Sequence, residues 1–451
     1  MSTVPAADDD SEPELEMSQY EKSATTASGK KAPPSATDEV DILTYRPTVK
    51  NRVWYVNETD LAWITTGCYI LGTGGGGSPY SSMIRLRQML RANAVVRVIN
   101  PHDLDDDARV GCGGGAGSPT VGIEKLQGDE MLEAQRELYK MVDRPATHMI
   151  ALEIGGGNGL QSMILGASSN MNLPVVDGDW MGRAYPTKWQ TTPVVFNERP
   201  TVWSPIAMCD GNGNVVLMPR ATSDLQVERI LRAALSQMGS HTGCAEAPVS
   251  GAETKRWVVE HTISQAWRIG RAVAKARQFN RLYDVAQTII DECGGSAAAK
   301  VLWQGKIVGV ERTLRMGHVY GECFIEGADV TDEGQTGQFH GTIKIPFKNE
   351  NIAAIRVTGS EEERQEDVLA IVPDLISIID AQNGEAIGTP EYRYGLLVMV
   401  LGIAASDRWT GSERGVAIGG PKAFGINHLL YQPLGTFVKP RSVIDEFDTA
   451  G

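Results

Sequence analysis

The residues best placed by type and spacing to do chemistry are two aspartates. Asp177 and Asp179 follow Val175-Val176 and straddle Gly178. Extended backbone turns successive side chains to opposite faces, so a spacing of two puts both carboxylates on one face. Acids so placed can divide proton-transfer roles or hold a cation. An Asp-Gly turn whose acids cap local amides accounts for the same residues equally well. Glu153 stands just before a glycine turn, where it could be a base or a metal ligand. Asn158, inside that turn, could orient a carbonyl or simply adopt a left-handed conformation. Glu124 could reach the same cleft or lie exposed beside Lys125. Thr73 and Ser78 offer hydroxyls, but neither has a sequence neighbour that would activate it.

The seven histidines, at 102, 148, 241, 261, 318, 340 and 428, include no HExxH or other local metal pair. His261 lies near an expected helix start, where a neutral imidazole could face the cleft. His318 is as readily structural as functional. Cys112 lies in a glycine-rich stretch, but an unperturbed thiol is mostly protonated near neutrality. A buried spectator is the simpler account of it.

Three glycine-rich stretches frame these residues: Gly72–Gly77, Gly111–Gly115 and Gly155–Gly159. The first reads as strand, flexible loop and helix start. Glycine backbone can approach a ligand closely, and its amides can form anion-binding nests. The functional site is therefore expected where the three stretches converge. The first formally fits GxGxxG, but the next strand ends at Ile99-Asn100 without the ribose-binding acid of a dinucleotide fold. No Lys-Ser or Lys-Thr follows the glycines, so a Walker A loop is absent too.

The elements that must position these residues alternate. Helices are expected at Glu58–Ile64 (capped by Thr59 or Asp60), Ser81–Ala92, Asp129–Met141, Leu225–Met238 and His261–Leu282. Short strands are expected at Ala94–Ile99 and Thr147–Ile154, and a hairpin-like turn at Asp210–Gly213. Alternation of this kind favours an α/β class: a layered N-terminal α/β domain. After Cys293-Gly294-Gly295 short strand patterns dominate, which implies a second, β-rich domain. The boundaries read as 1–50 for a disordered acidic tail, 51–295, 296–410, and 411–451 for a segment packing back on the core.

The 451 residues carry a formal charge of -14. Ten acids and three lysines between Met1 and Asp41 supply half of it. An acidic chain argues against nucleic-acid binding. The most apolar run, residues 395–405, is too short to span a bilayer. Six scattered cysteines without a CxxC pair, and an N-terminus without a secretory segment, fit a cytoplasmic setting.

In order and extent the motifs resemble the S-methyl-thiohydantoin desulfurase domain family (DUF917) from about Asp60 to Phe437. The stretches that carry the resemblance are Leu71–Pro79, Gly117–Lys125, Ile154–Asn158, Val175–Ala184, Gly305–Val308, Phe347–Asn351, Val372–Ile376 and Arg393–Gly395. Gly117-Ser118-Pro119-Thr120 stands where the family has Gly-Ala-Pro-Thr. Members accompany, or are fused to, hydantoinase and oxoprolinase proteins. The resemblance implies a hydrolase acting on a small cyclic ureide or thio analogue, with loss of sulfur from a thiohydantoin as one activity. It further implies Asp177, Asp179, Glu153 and Asn158 as catalytic residues, and Gly74, Gly75, Gly76, Thr120 and Arg183 as substrate contacts. A divalent cation such as zinc or manganese would sit on Asp177, Asp179 and His261. The alternative is an accessory subunit of a hydantoinase- or oxoprolinase-type enzyme; a nucleotide-dependent ligase or kinase is a weaker third reading. A homo-oligomer is compatible with each.

Overall fold

In the computed structural model, which describes residues 40–118, 121–315, 317–327, 339–359, 363 and 365–449, the first long element is the helix Glu58–Leu71. Asn57 caps it: its side chain accepts from the Asp60 amide while the Asp60 carboxylate takes the Asn57 amide. This reciprocal box satisfies two donors that a helix start otherwise orphans. Asp60, expected as the cap, is thus the third helical residue. It also accepts from Trp54 at 3.1 Å, Trp267 at 2.8 Å and Tyr45 at 2.8 Å, so the buried carboxylate is not left unpaired. The apolar run before the first glycines is the end of this helix, not a strand. Leu61, Ile64, Cys68 and Leu71 are all buried, and they recur at the helical period, which selects helix over strand.

One sheet follows the order Thr48–Lys50, Val53–Tyr55, Arg97–Ile99, Val175–Asp179, His148–Ala151, Arg109–Gly117, His241–Ser250, Ile206–Cys209 and Val215–Met218. Its first strand thus begins inside the stretch expected to be tail. The four strands from Arg97–Ile99 to Arg109–Gly117 are parallel neighbours; the flanking pairs are antiparallel. Both faces are covered. Met149 and Val175 enter one apolar core, Ile150 and Val176 the other, as the strand period of two requires. The helix Thr262–Gln278 packs against Glu58–Leu71 on the first of these faces.

The second glycine stretch is no loop. It is the body of the strand Arg109–Gly117. Side-chain amides lie where its Cβ atoms would be: a Cβ on Gly114 would stand 2.1 Å from Gln161 Oε1, and one on Gly115 2.0 Å from Gln127 Nε2. The missing side chains make room for Gln161 and Gln127 against the strand.

The C-terminal β-rich region is an antiparallel sheet ordered Gln365–Ile371, Ala353–Thr358, Thr342–Lys348, His318–Gly327, Ala299–Arg315, Leu397–Ile403 and Leu375–Asp380. In Thr342–Lys348 the buried residues alternate with half-buried ones, the pattern of a one-sided core. Arg183 ties the two sheets together. Its buried guanidinium donates to the carbonyls of Pro373 (3.0 Å), Asp374 (2.8 Å) and Asn351 (3.3 Å) and to the Thr73 hydroxyl (3.0 Å). The last segment lies against the first sheet. Val443 donates to Ser264 Oγ at 2.8 Å, Asp445 pairs with Arg52 at 2.8 Å, and Thr449 bridges to Lys50. Among the described residues no helix is long and apolar enough to cross a membrane.

Candidate active site

In open sheets with parallel strands, ligands bind outside the carboxyl ends of those strands. Three such ends here are Gly117, Ala151 and Asp179. A cleft of about 470 Å³ opens beside them. Gly117 and Ser118 line it from the first end, Leu152 and Glu153 from the second, Met181 and Tyr185 from the third. Gly76, Gly77, Gly157 and Asn158 add the loops, and Glu350, Glu391 and Arg393 close it from the β-rich side.

The first and third glycine stretches meet by direct backbone contact, and the second reaches the same cleft with Gly115. The Gly157 amide donates to the carbonyls of Gly76 (3.0 Å) and Gly77 (3.1 Å). Gly76 has φ +70°, and a Cβ there would lie 2.1 Å from the Gly155 carbonyl oxygen, so only glycine allows the two loops to interlock. Gly74 and Gly75 look the other way. A Cβ on Gly74 would meet Thr389 and Tyr392, and one on Gly75 would stand 2.2 Å from Glu350 Oε1. Neither lines the cleft. Half of the first loop thus docks the β-rich sheet and half shapes the cleft.

Glu153 is the central acid. Its Oε1 accepts from Asn158 Nδ2 and its Oε2 from the Tyr185 amide at 3.0 Å. Burial pushes its pKa up to about 7, against the pull of those two donors. A second carboxyl, Glu350, stands in the same wall. Burial raises it well above the carboxylate range, and the charge of Glu153 raises it further while Arg183 opposes. Its Oε2 is buried with no hydrogen-bond partner among the described residues. Lys188, also in the wall, pairs with the fully buried Glu246. Burial disfavours its charge, but Glu246 outweighs this and holds the ammonium charged well past its ordinary range. Gln161 completes the wall, its Oε1 taking the Gly115 amide at 2.8 Å.

Asp177 and Asp179 lie deeper and are not among the residues that line the cleft. Both are completely buried. Asp177 is bound to the start of the helix Thr262–Gln278: Oδ1 takes the Ser264 amide at 3.0 Å, and Oδ2 takes the Ser264 hydroxyl at 2.6 Å and meets His261 Nδ1 at 3.2 Å. Asp179 Oδ2 accepts three amides, from Ile154 (2.8 Å), Met181 (3.1 Å) and Gly182 (2.7 Å). Burial lifts its pKa to about 7 in spite of them. By holding Ile154 and Gly182, Asp179 fixes the two loops that carry Glu153 and Tyr185. The strand puts both aspartates on one face as the spacing implies. Donors take both Asp177 oxygens and Asp179 Oδ2, while Asp179 Oδ1 is buried with no hydrogen-bond partner among the described residues.

A donor-lined carboxylate is a poor cation ligand, because N–H dipoles point their positive ends at the oxygens a metal would need. Both Asp177 oxygens and Asp179 Oδ2 are occupied by such donors, and of the four oxygens only Asp179 Oδ1 has no partner among the described residues. Among the described residues no group of three or more His, Cys, Asp or Glu could hold one. Arg183 spends its donors on carbonyls and the Thr73 hydroxyl, and is not a cleft residue. Thr120 lies outside the described residues. Ser78 reaches the cleft; Glu124 and Cys112 do not line it, and burial keeps the Cys112 thiol protonated. His318 is buried against Asn349.

Glu350, Lys188 and Gln161 escaped the sequence reading. Glu350 sits in Asn349-Glu350-Asn351, a polar run between two apolar strands, with Asn349 at φ +58°. That break, and its place in the resemblance stretch Phe347–Asn351, were its signals, but neither marked it as a site acid. Lys188 follows the Asp177–Arg183 stretch closely, but no motif marks it.

Residues 59–220 match the family model described as S-Me-THD-like, N-terminal domain, and residues 222–434 that described as S-Me-THD-like, C-terminal domain. The division between the two falls within the first sheet, since His241–Ser250 belongs to it. No curated protein is a significant match. A crystal structure of a protein from Chromobacterium violaceum shares the fold, with a TM-score of 0.63 over 84% of this chain and 99% of that one at 20% identity. With consecutive matches spanning nearly all of the folded chain, the protein belongs to the S-Me-THD-like family.

Proposed function

We propose that this chain is a hydrolase of a small cyclic ureide or thiohydantoin, and that Glu153 is its principal proton-transfer residue. One observation carries the reading: a buried carboxyl with proton affinity near neutrality stands in the wall of a polar cleft where the glycine loops meet. An acid poised near the working pH is an efficient proton donor. Water adds to the ring carbon that bears sulfur or the amide nitrogen. The bond from that carbon to sulfur or nitrogen then breaks, its electron pair goes to the departing atom, and Glu153 gives that atom a proton. Asn158 orients the carboxyl. Lys188 supplies a fixed positive charge for the negative charge that builds as water adds. Glu350, protonated beside Glu153, keeps a second negative charge out of the wall.

The test is to incubate the purified chain with 2-thiohydantoins and hydantoins, with and without added zinc or manganese, and to follow sulfide release and ring opening. Turnover by the chain alone is expected and would also rule out an exclusively accessory role. No turnover of any cyclic ureide or thio-ureide under any of these conditions sinks the reading.

A further inference from the structure

The cleft has a second titratable wall that the mechanism above leaves unused. His241 and Ser118 line it, and Gly117 pairs with His241 across neighbouring strands. Behind His241 lies Glu130, from the helix Glu130–Leu138. His241, Glu130 and Ser118 are 5%, 4% and 4% exposed. His241 Nδ1 and Glu130 Oε1 face each other at 3.9 Å. Neither atom, nor Ser118 Oγ, has a hydrogen-bond partner among the described residues. The other Glu130 oxygen is fixed by the Gly128 amide at 2.8 Å. Buried polar atoms without partners are costly. An imidazole nitrogen and a carboxylate oxygen left facing each other at a cleft wall, with the unpartnered Ser118 Oγ in the same wall, are the mark of a site built to be completed by a ligand or by a small closure.

We propose that His241, backed by Glu130, is the general base of the cleft, taking the proton from the attacking water while Glu153 protonates the departing atom. The inference rests on the hydrolase reading above and deepens it. A carboxylate facing one ring nitrogen orients the imidazole and stabilises the imidazolium formed when the other nitrogen accepts a proton. The separation of 3.9 Å is longer than a direct hydrogen bond, but base–orienter contacts in sites without substrate are often long and tighten on binding. Two charged groups face His241: Glu130, which favours the imidazolium, and Lys125, which disfavours it and whose Nζ donates to the His241 carbonyl at 3.2 Å. Burial outweighs Glu130 and leaves the ring neutral, as a base must be before it acts. The balance closes without a co-reactant. The water oxygen bonds to the ring carbon and its proton goes to Nε2. For a thiocarbonyl the C=S π pair moves to sulfur as water adds. The remaining C–S bond, or the C–N bond of an amide, then breaks with its pair going to sulfur or nitrogen, which takes the Glu153 proton. Where C=O forms from the added oxygen, the second proton of that oxygen passes to the departing sulfide or to solvent. The His241 proton returns to Glu153 through solvent.

The test combines kinetics with a measurement that needs no turnover. In the wild type, turnover is expected to fall on the acid side as His241 protonates. His241→Gln should lose about 100-fold or more and lose that acid limb. Glu130→Gln, with the ring intact, should move the limb to lower pH. By NMR the His241 imidazole should titrate at lower pH in Glu130→Gln than in the wild type. Wild-type turnover with His241→Gln within threefold of it overturns this inference and leaves the hydrolase reading standing. No wild-type turnover overturns the hydrolase reading and the base role with it. An unchanged His241 titration in Glu130→Gln overturns the pairing on its own, whether or not turnover is seen and whether or not His241→Gln folds.

Discussion

Two regions of this protein bury a pair of acids, and they treat them in opposite ways. On the strand Val175–Asp179, Asp177 and Asp179 each receive three donors, most of them backbone amides, though all three on Asp179 go to Oδ2 and its Oδ1 has no partner among the described residues. In the cleft wall, Glu153 receives one donor per oxygen, and Glu350 Oε2 none among the described residues. An ionised carboxylate has about four lone-pair sites. Where donors fill most of them and no cleft adjoins, the acid is a fastener for loops and helix starts. Where sites stay open toward a cleft, it can trade a proton with something else. Burial alone does not separate the two cases, because Asp179 and Glu153 are both lifted to about 7. Access to the cleft does, since Asp179 Oδ1 and Glu350 Oε2 both lack a partner among the described residues but only Glu350 lines the cleft.

The sharpest way to break this contrast is Glu153→Gln. Turnover should fall by about 10² to 10⁴ with the fold retained, measured as sulfide release or ring opening against a circular dichroism control. In the wild type, turnover should also decline as pH rises through about 7, where Glu153 gives up its proton. A variant within threefold of wild type would put Glu153 with the fasteners.

A somewhat smaller effect lies in stability. Glu153 keeps its proton up to about 7 when folded, against an ordinary value of 4.5. Between those values the native state binds more protons than the unfolded one, so its contribution to stability falls as pH rises across that window. Glutamine does not titrate. Glu153→Gln should therefore gain on the wild type as pH rises from about 5 to 8, by up to about 3 kcal/mol; Asp179 and Glu350 are common to both chains and largely cancel. Urea unfolding at the two pH values measures it. A difference that does not change with pH would mean that Glu153 is not held protonated.

How much of this was legible in the sequence follows from what each residue's signal depends on. The α/β alternation and the later run of strands rest on local periodicity, and both appear in the structure. The backbone contact of the first and third glycine stretches was legible because glycine-rich breaks permit close backbone approach; the second reaches the cleft as a strand end. Their local form was less so. The helix Glu58–Leu71 runs into the first stretch because Leu61, Ile64, Cys68 and Leu71 keep a helical burial period up to it. The Gly111–Gly115 run is a strand because distant segments pair with it on both sides and glutamines occupy its missing side chains. Asp177 and Asp179 stood out because their spacing is local; two donors to Asp179 are local as well, from residues 181 and 182, but the others come from residues 154 and 261–264. Glu350 and Lys188 owe their place in the wall to packing between distant segments, which no spacing encodes.

The fastener side of the contrast can be sharpened without touching either aspartate. Ser264 donates its hydroxyl to Asp177 Oδ2 at 2.6 Å and accepts the Val443 amide at 2.8 Å. It therefore links the central strand, the helix Thr262–Gln278 and the C-terminal segment through one oxygen. Ser264→Ala leaves the Val443 amide unpaired in a buried site and removes one of the three donors to Asp177. The loss in unfolding free energy should be about 1 to 3 kcal/mol, read by urea denaturation. Turnover per folded molecule should stay within about twofold, because nothing in the cleft wall touches Ser264. Were turnover to fall tenfold or more while stability held, the Asp177 side would be coupled to the chemistry. Saturation by donors would then be an unsafe guide to which buried acids only hold the fold.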